Sequence, residues 1–346
     1  MTKIRVVLTA VGAPGAPTII KALREDENIE IIGTDIRDEI LGKYLVNKFY
    51  RVHRGTTLNF IEDIERIVIK NKVDVIIPLA TLELNNLAKH KSHFEEKLNC
   101  KICVSDYETL EVANNKIRLY EMFDGENFIP RFIVPRNMRE FEEAVYELGY
   151  PKKYVCVKIP VGHGSRGFRI ISSDTNEWDL FQKEKPSNVF IDLERMKKIL
   201  RQSDSFPEIL VSEYLPGEEW GADTLIDPTT HRLISVVIRK NTSLNLSIPV
   251  ACTIRNNEEI KKIVNFIVKK LKLAYAVNFD FKYDENGKAK LLEINPRLSA
   301  SCILAVKAGV NLPLLIVYMA LGKKVEIKNI REGITAYFYR DVLFIE

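Results

Sequence analysis

Cysteine, histidine and tryptophan are scarce in this 346-residue sequence, at five, five and two residues. The cysteines are odd in number and scattered. That excludes a disulfide framework and fits a reducing compartment, so a cytoplasmic protein is expected. Net charge is also small: 51 basic against 47 acidic residues leave +4. No basic run carries interleaved aromatics, so nucleic acid is not an expected partner. No apolar run is long enough to span a bilayer. The segment Met1–Arg5 leads into a short strand-like run that ends at Gly12, not a signal peptide. Neither a membrane nor an export route is expected.

Two glycine-rich stretches lack what the best-defined phosphate loops require. Gly12–Pro17 (GAPGAP) has only Gly12 and Gly15, and Pro14 and Pro17 stiffen the loop and remove amide donors. With Asp35 ending the next strand it invites a dinucleotide reading, but it departs from G-x-G-x-x-G. A small-substrate contact or tight strand–helix packing suits it better. Gly162–Gly167 has Walker A glycine spacing, but Phe168-Arg169 stands where Lys-Ser/Thr must follow. A P-loop is excluded there. His90, His93, Cys100 and Cys103 form HxxH followed by CxxC. The cysteines flank a strand-like segment at an odd spacing and should point to opposite faces, so zinc is not expected.

What is present is a soluble globular composition, 46% hydrophobic and 28% charged. The length calls for two or three domains. Strand patterns at Ile4–Ala10, Ile29–Asp35, Phe49–Val52, Val73–Leu79 and Lys101–Val104 alternate with helical patterns at Thr18–Arg24, Leu58–Lys70 and Leu82–Leu98. Such alternation predicts an open parallel sheet with helices on its faces. Asp106–Phe123 reads as helices leaving that domain, with Asn114, Asn115 and Lys116 at a helix start. Asn137 is the expected N-cap of a helix through Leu148. Strands follow at Tyr154–Ile159, Arg169–Ile171, Ile209–Tyr214, Trp220–Ile226 and Leu233–Arg239, then a helix over Glu258–Lys272.

The most informative stretch is LLEINPR, from Leu291 to Arg297. An apolar strand carries Glu293 and Asn295 two apart, hence on one face. One strand earlier, AVNFDFKY sets Asp280 among aromatics. If the two strands pair antiparallel through the turn at Asp284–Gly287, Asp280 can sit near Glu293. Three hard oxygen ligands on rigid strands suit Mg²⁺, with Mn²⁺ as the alternative ion. The loop after Lys158 joins two strands as a glycine-rich flap whose amides can close over phosphates. EYLPGEE, Glu213–Glu219, offers backbone at Tyr214 and Leu215 for an adenine edge and a carboxylate at Glu219 for ribose hydroxyls. Arg166, Arg239 and Arg255 are weaker candidates for phosphate or substrate, and His163 and His231 read as bystanders.

The order VKIPVGHGSRG, SEYLPGEEW, NFDF, LLEINPR resembles the ATP-grasp superfamily over nearly the whole chain, closest to its carbamoyl-phosphate-synthetase-like branch. The resemblance implies an α/β fold. An N-terminal Rossmann-like parallel-sheet domain (1–113) would precede a two-lobed α+β ATP-grasp domain, its small lobe (114–212) bearing the flap and its large lobe (213–346) the metal-binding hairpin. It implies ATP and Mg²⁺ as cofactors. Lys116 and Lys158 would contact phosphates, and Gly162, Gly164, Ser165 and Gly167 would form the flap. Glu213, Tyr214 and Leu215 would hold adenine and Glu219 the ribose. Asp280, Glu293 and Asn295 would hold one or two metal ions, and Arg297 would meet the γ-phosphate or acyl phosphate. One departure matters: the synthetase itself has a glutamine where Asp280 stands, which weakens a carbamoyl-phosphate assignment more than the fold. The implied reaction is ATP-dependent activation of a carboxylate as an acyl phosphate for attack by an amine. The alternatives are a bicarbonate-using enzyme of the synthetase kind and a non-catalytic nucleotide-binding protein on the same fold. Small-molecule carboxylate and amine are the expected partners, and a homodimer is the one assembly considered.

Overall fold

The computed structural model describes residues 3–162, 166–174, 178, 182, 189–245, 248–327, 329–339 and 341–345. Its first sheet joins β1 (Ile4–Leu8), β2 (Ile29–Asp35), β3 (Lys48–Arg51), β4 (Val75–Ile77) and β5 (Lys101–Ile102). All pairings are parallel, in the order β3-β2-β1-β4-β5. The central strands β1, β2 and β4 are mostly buried on both faces, as a sheet covered by helices on each side requires. Val6 and Leu8 enter one core with α1 (Ala16–Leu23), and Val7 enters another with α3 (Leu58–Asn71). A short α2 (Gly42–Leu45), not expected from the sequence, lies between β2 and β3.

The helix expected over Leu82–Leu98 is two helices, α4 (Thr81–Lys89) and α5 (Lys91–Lys97). The His90 imidazole Nδ1 bonds the Asn86 carbonyl at 2.9 Å, while the His90 amide turns to the Leu87 carbonyl. The carbonyl that a continuing helix would give to the backbone is thus taken by a side chain, and the helix bends there. Cys100 and Cys103 enter the cores on opposite sides of the sheet, and His93 pairs with Glu65. Asp35 is used locally: it accepts from the Gly12 amide at 2.8 Å and ties down the loop between β1 and α1.

The chain leaves this domain through α6 (Tyr107–Ala113) and α7 (Lys116–Met122). Asn115 caps α7, accepting from the Ile117 and Arg118 amides. A second sheet orders β6 (Phe132–Ile133), β10 (Leu210–Glu213), β7 (Val155–Lys158), β8 (Phe168–Ile171) and β9 (Phe190–Ile191) as β6-β10-β7-β8-β9. It is backed by α8 (Met138–Glu147), capped by Asn137 as expected, and by α9 (Leu193–Leu200). A third, antiparallel sheet runs β15 (Ala289–Asn295), β14 (Tyr275–Tyr283), β11 (Glu219–Ile226), β12 (Leu233–Asn245), β13 (Ile248–Ile254), β16 (Thr335–Tyr337). β12 is longer than its apolar pattern and pairs with an unexpected β13. Backbone pairing carries the ladder through Asn241 into a polar stretch where hydrophobic alternation is lost.

One face of the third sheet is covered by α10 (Glu258–Leu271). The other shares a core with the first domain through α11 (Ile303–Ala308) and α12 (Leu312–Ala320). The two parts meet closely. A Cβ on Gly15 would come within 2.5 Å of the Ala300 Cα, so the β1–α1 loop lies directly on the turn that follows β15. No helix among the described residues is long and apolar enough to cross a membrane.

Glu83, in the first turn of α4, is buried beneath this junction and receives a hydrogen bond from the Thr9 hydroxyl. Burial pushes its carboxyl from the ordinary 4.5 up to about 7. The folded protein therefore holds a proton that the unfolded chain releases between those values. Stability from this site is fully present below about 4.5, falls as pH rises towards 7, and is flat above. Glu83→Gln stays neutral throughout. Its melting temperature relative to the wild type should rise between about pH 4.5 and about pH 7. A difference that does not vary with pH in thermal melts would show that Glu83 does not titrate there.

Candidate functional site

Alternate residues of four neighbouring strands build a polar lattice on one face of the third sheet. Gly221 on β11 stands opposite both Arg239 on β12 and Asp280 on β14, and Asp280 stands opposite Glu293 on β15. In the next row, Asp223 faces Asn278, which faces Asn295. One row the other way, Glu219 faces Lys282. The hairpin of β14 and β15 thus pairs as the sequence leads one to expect.

Asp280 and Glu293 are half-buried carboxylates side by side, and their surroundings offset the repulsion. The Asn295 amide nitrogen donates to Asp280 Oδ2 at 3.1 Å and to Glu293 Oε1 at 3.0 Å. Lys116 Nζ lies 2.9 Å from Glu293 Oε2. Arg239 Nη2 lies 3.9 Å from Asp280 Oδ1. Burial, and then the Glu293 charge, push the Asp280 carboxyl up. Burial acts the same way on Glu293, but Lys116, Asn295 and Lys158 outweigh it and hold that carboxyl below its usual value. Among the described residues no three His, Cys, Asp or Glu side chains converge. Two carboxylates with excess negative charge fit Mg²⁺ or Mn²⁺, and the Asn295 oxygen joins them as a hard donor when its amide turns over.

These acids close one end of a cleft of about 360 Å³ between the second and third sheets. Lys158, at the end of β7, also lines it. The lysine is 8% exposed and sits 5.8 Å from the centroid of the Tyr120 ring. Burial pushes its ammonium down, and no carboxylate of the described residues lies within 4 Å of it. Tyr214 and Leu215 line the same cleft, as do Glu219 and Lys282. The Tyr214 ring is fixed edge-on by Tyr154 and approached by the Lys282 ammonium at 5.5 Å. Glu213 accepts from the Arg131 amide at 2.9 Å. Burial raises the Glu219 carboxyl, against the pull of Lys282 and Asn241. Gly162 and Gly167 form the described part of the flap. Gly167 has φ +70°, and a Cβ there would overlap Ile159. Gly164 and Ser165, with His163, lie outside the described residues.

Arg297 stands off the cleft. Its Nη2 donates to Asn295 Oδ1 at 3.2 Å and its Nε to Thr81 Oγ1 at 3.1 Å, bridging β15 to the first domain. Arg166 lines the cleft. Arg255 lines a separate cleft of about 670 Å³ against α10 and the side chains of Ile327, Asn329, Ile330 and Glu332. His231 bonds the Leu273 carbonyl. Sequence reasoning passed over Asp223, Asn278, Lys282 and Cys156. Polar residues at every second position of the apolar β11 and β14 were the signal for the first three. Cys156 lines the cleft two residues before Lys158, on the same face of β7.

A family model described as ATP-grasp in the biosynthetic pathway with Ter operon matches residues 205–340, and one for the PylC-like N-terminal domain matches residues 6–103. Residues 205–340 are thus of ATP-grasp type, and the chain as a whole has the ATP-grasp fold. Solved ATP-grasp structures resemble it over most of its length. N5-carboxyaminoimidazole synthetase from Staphylococcus aureus, complexed with ADP, is 14% identical, with a TM-score of 0.68 over 94% of this chain and 80% of that one. The biotin carboxylase domain of the Hydrogenobacter thermophilus 2-oxoglutarate carboxylase, in complex with MgADP, ADP and bicarbonate, is 18% identical, with a TM-score of 0.70 over 97% and 74%. L-amino acid ligase from Bacillus licheniformis is 15% identical, with a TM-score of 0.64 over 93% and 75%. No curated protein matches the sequence.

Gly221 is the close-packing point of this ATP-grasp lattice, since a Cβ there would overlap the Arg239 guanidinium. Gly221→Ala should lower stability by about 1–3 kcal/mol through overpacking. An unchanged midpoint in denaturant titration would mean that the guanidinium does not lie over Gly221.

Proposed function

We propose that this ATP-grasp protein is an ATP-dependent ligase that activates a carboxylate as an acyl phosphate for attack by an amine, releasing ADP and phosphate. The observation that carries the reading is Lys158. A buried ammonium without a carboxylate partner among the described residues, facing a cleft beside two carboxylates, calls for an incoming anion. A nucleotide phosphate chain accompanied by a divalent cation meets both demands. The ADP and MgADP named for the neighbouring structures support that choice.

In this reading residues 1–113 are the leading domain, 114–212 the small lobe and 213–346 the large lobe. Glu213, Tyr214 and Leu215 hold adenine, and the largely buried Glu219 accepts the ribose hydroxyls. Lys116 and Lys158 meet the phosphates, under the flap of Gly162, Gly164, Ser165 and Gly167. Asp280, Glu293 and Asn295 hold the cation, which when bound offsets charge on the phosphoryl oxygens during in-line transfer. For Lys116 this means exchanging Glu293 for a phosphate, and for Asn295 presenting its amide oxygen in place of its nitrogen. Arg297, anchored on Thr81, would meet the γ-phosphate or the acyl phosphate. The chain supplies position and charge; no nucleophilic Cys or Ser is required.

Lys158→Met should weaken ADP binding by roughly 1.5–3 kcal/mol, the worth of a charge-assisted contact. Calorimetric titration measures this, and unchanged affinity would put Lys158 outside the phosphate site.

The reaction itself is tested by supplying carboxylate and amine pools. ADP and phosphate should accumulate only with both present, apart from a slow leak with the carboxylate alone. Hydroxylamine should trap the acyl phosphate as a hydroxamate. Bicarbonate-stimulated ATP hydrolysis without any organic acid would favour the second reading, which the bicarbonate of the biotin carboxylase neighbour supports. AMP and pyrophosphate as products would overturn both, since they require attack at the α-phosphorus.

A further inference from the structure

Arg239 differs from the lysines assigned to phosphate. It is 4% exposed, and neither it nor its partners Asp223 and Asn278 line the nucleotide cleft. Its Nη1 lies 2.6 Å from Asp223 Oδ2, and Asp223 is itself buried. Its Nη2 faces the first oxygen of Asp280 at 3.9 Å. Asn278 closes the ring. With its amide oriented to satisfy both neighbours, its oxygen accepts from Arg239 Nη2 at 3.2 Å and its nitrogen donates to Asp280 Oδ2 at 3.1 Å. Gly221, between them on β11, leaves the space that the guanidinium fills. A planar fork can serve Asp223, Asn278 and Asp280 at fixed angles, which a point-like ammonium cannot. Because Asp223 neutralises the guanidinium, the pair can orient Asp280 without adding a net positive charge beside a cation.

We infer that Arg239 is a positioning residue for the metal site: held by Asp223 and Asn278, it fixes the Asp280 carboxylate in place for a divalent cation and does not touch nucleotide. The inference rests on the reading of Asp280, Glu293 and Asn295 as the cation's ligands. Partners that orient a ligand in this way typically contribute about 10- to 100-fold to metal affinity.

Two variants test it. Arg239→Lys keeps a positive charge against Asp223 but loses the fork. Asp223→Asn combined with Arg239→Gln removes both charges together, so neither is left buried alone. Binding of ADP is measured by calorimetry in EDTA and across a Mg²⁺ titration, with folding followed by thermal melts. In both variants the Mg²⁺ concentration for half-maximal enhancement of ADP binding should rise about tenfold or more, with ADP affinity in EDTA within about twofold of wild type. If the double variant does not fold, Arg239→Lys decides alone. Equal weakening of ADP in EDTA and in Mg²⁺ would overturn the inference and make Arg239 a phosphate ligand. A wild-type Mg²⁺ requirement that persists unaltered in a folded variant would overturn this inference alone. A wild-type protein whose ADP binding ignores Mg²⁺ would overturn the metal reading and this inference together.

Discussion

Two half-buried carboxylates, Asp280 and Glu293, face each other across neighbouring strands. Such a pair is stable only where cations or donors surround it. Much of the polar architecture of the third sheet meets that demand. Lys116 reaches in from the start of α7, Asn295 bridges the two acids, and Arg239 closes the far side with Asp223 behind it. The arrangement holds together in the protein alone and still leaves oxygen donors to exchange for a cation.

Rigid strands make this possible. The antiparallel register of β12, β11, β14 and β15 aligns residues from four separate stretches of chain in rows, and side chains two apart repeat the row along each strand. Lys116 and Lys158 come from outside the lattice, on α7 and the second sheet. The Lys116 amide bonds the Pro160 carbonyl, so the helix start is tied to the strand that carries Lys158. Lys116 and Lys158 thus have a common anchor, while Asp280 and Glu293 stand on the opposite sheet. The first domain joins through a shared apolar core and the close approach of Gly15 to Ala300. Arg297 crosses the same junction to Thr81, so the end of β15 and the start of α4 are held at fixed distance.

Much of this was legible in sequence because it rests on local pattern. Parallel strands show as apolar runs between helical periods. Asn115 and Asn137 mark helix starts with side chains that satisfy nearby amides, and the β14–β15 hairpin shows as two apolar strands around a short polar turn. The break at His90 was not legible, because a side chain capturing the Asn86 carbonyl leaves no trace in hydrophobic periodicity. Nor was β13, whose pairing with β12 passes through polar residues. Glu83 reads as an ordinary helix-surface acid, since nothing near it in the chain announces that Thr9 and Gly55 will enclose it.

The sequence by itself determined the α/β layout and the succession of glycine-rich loop, Glu213–Glu219 turn and acid-bearing hairpin, because strand alternation, caps and turns act over a few residues. It left Arg239 and Arg255 equivalent, two arginines between the Glu213–Glu219 turn and the hairpin. Only the tertiary structure separated them. Strand register carries Arg239 over Gly221 to Asp223 and Asp280, while Arg255, just past the end of β13, turns to a different cleft. The physical reason is that burial and charge pairing belong to residues that meet across strands, and those meetings are set by the packing of the whole sheet.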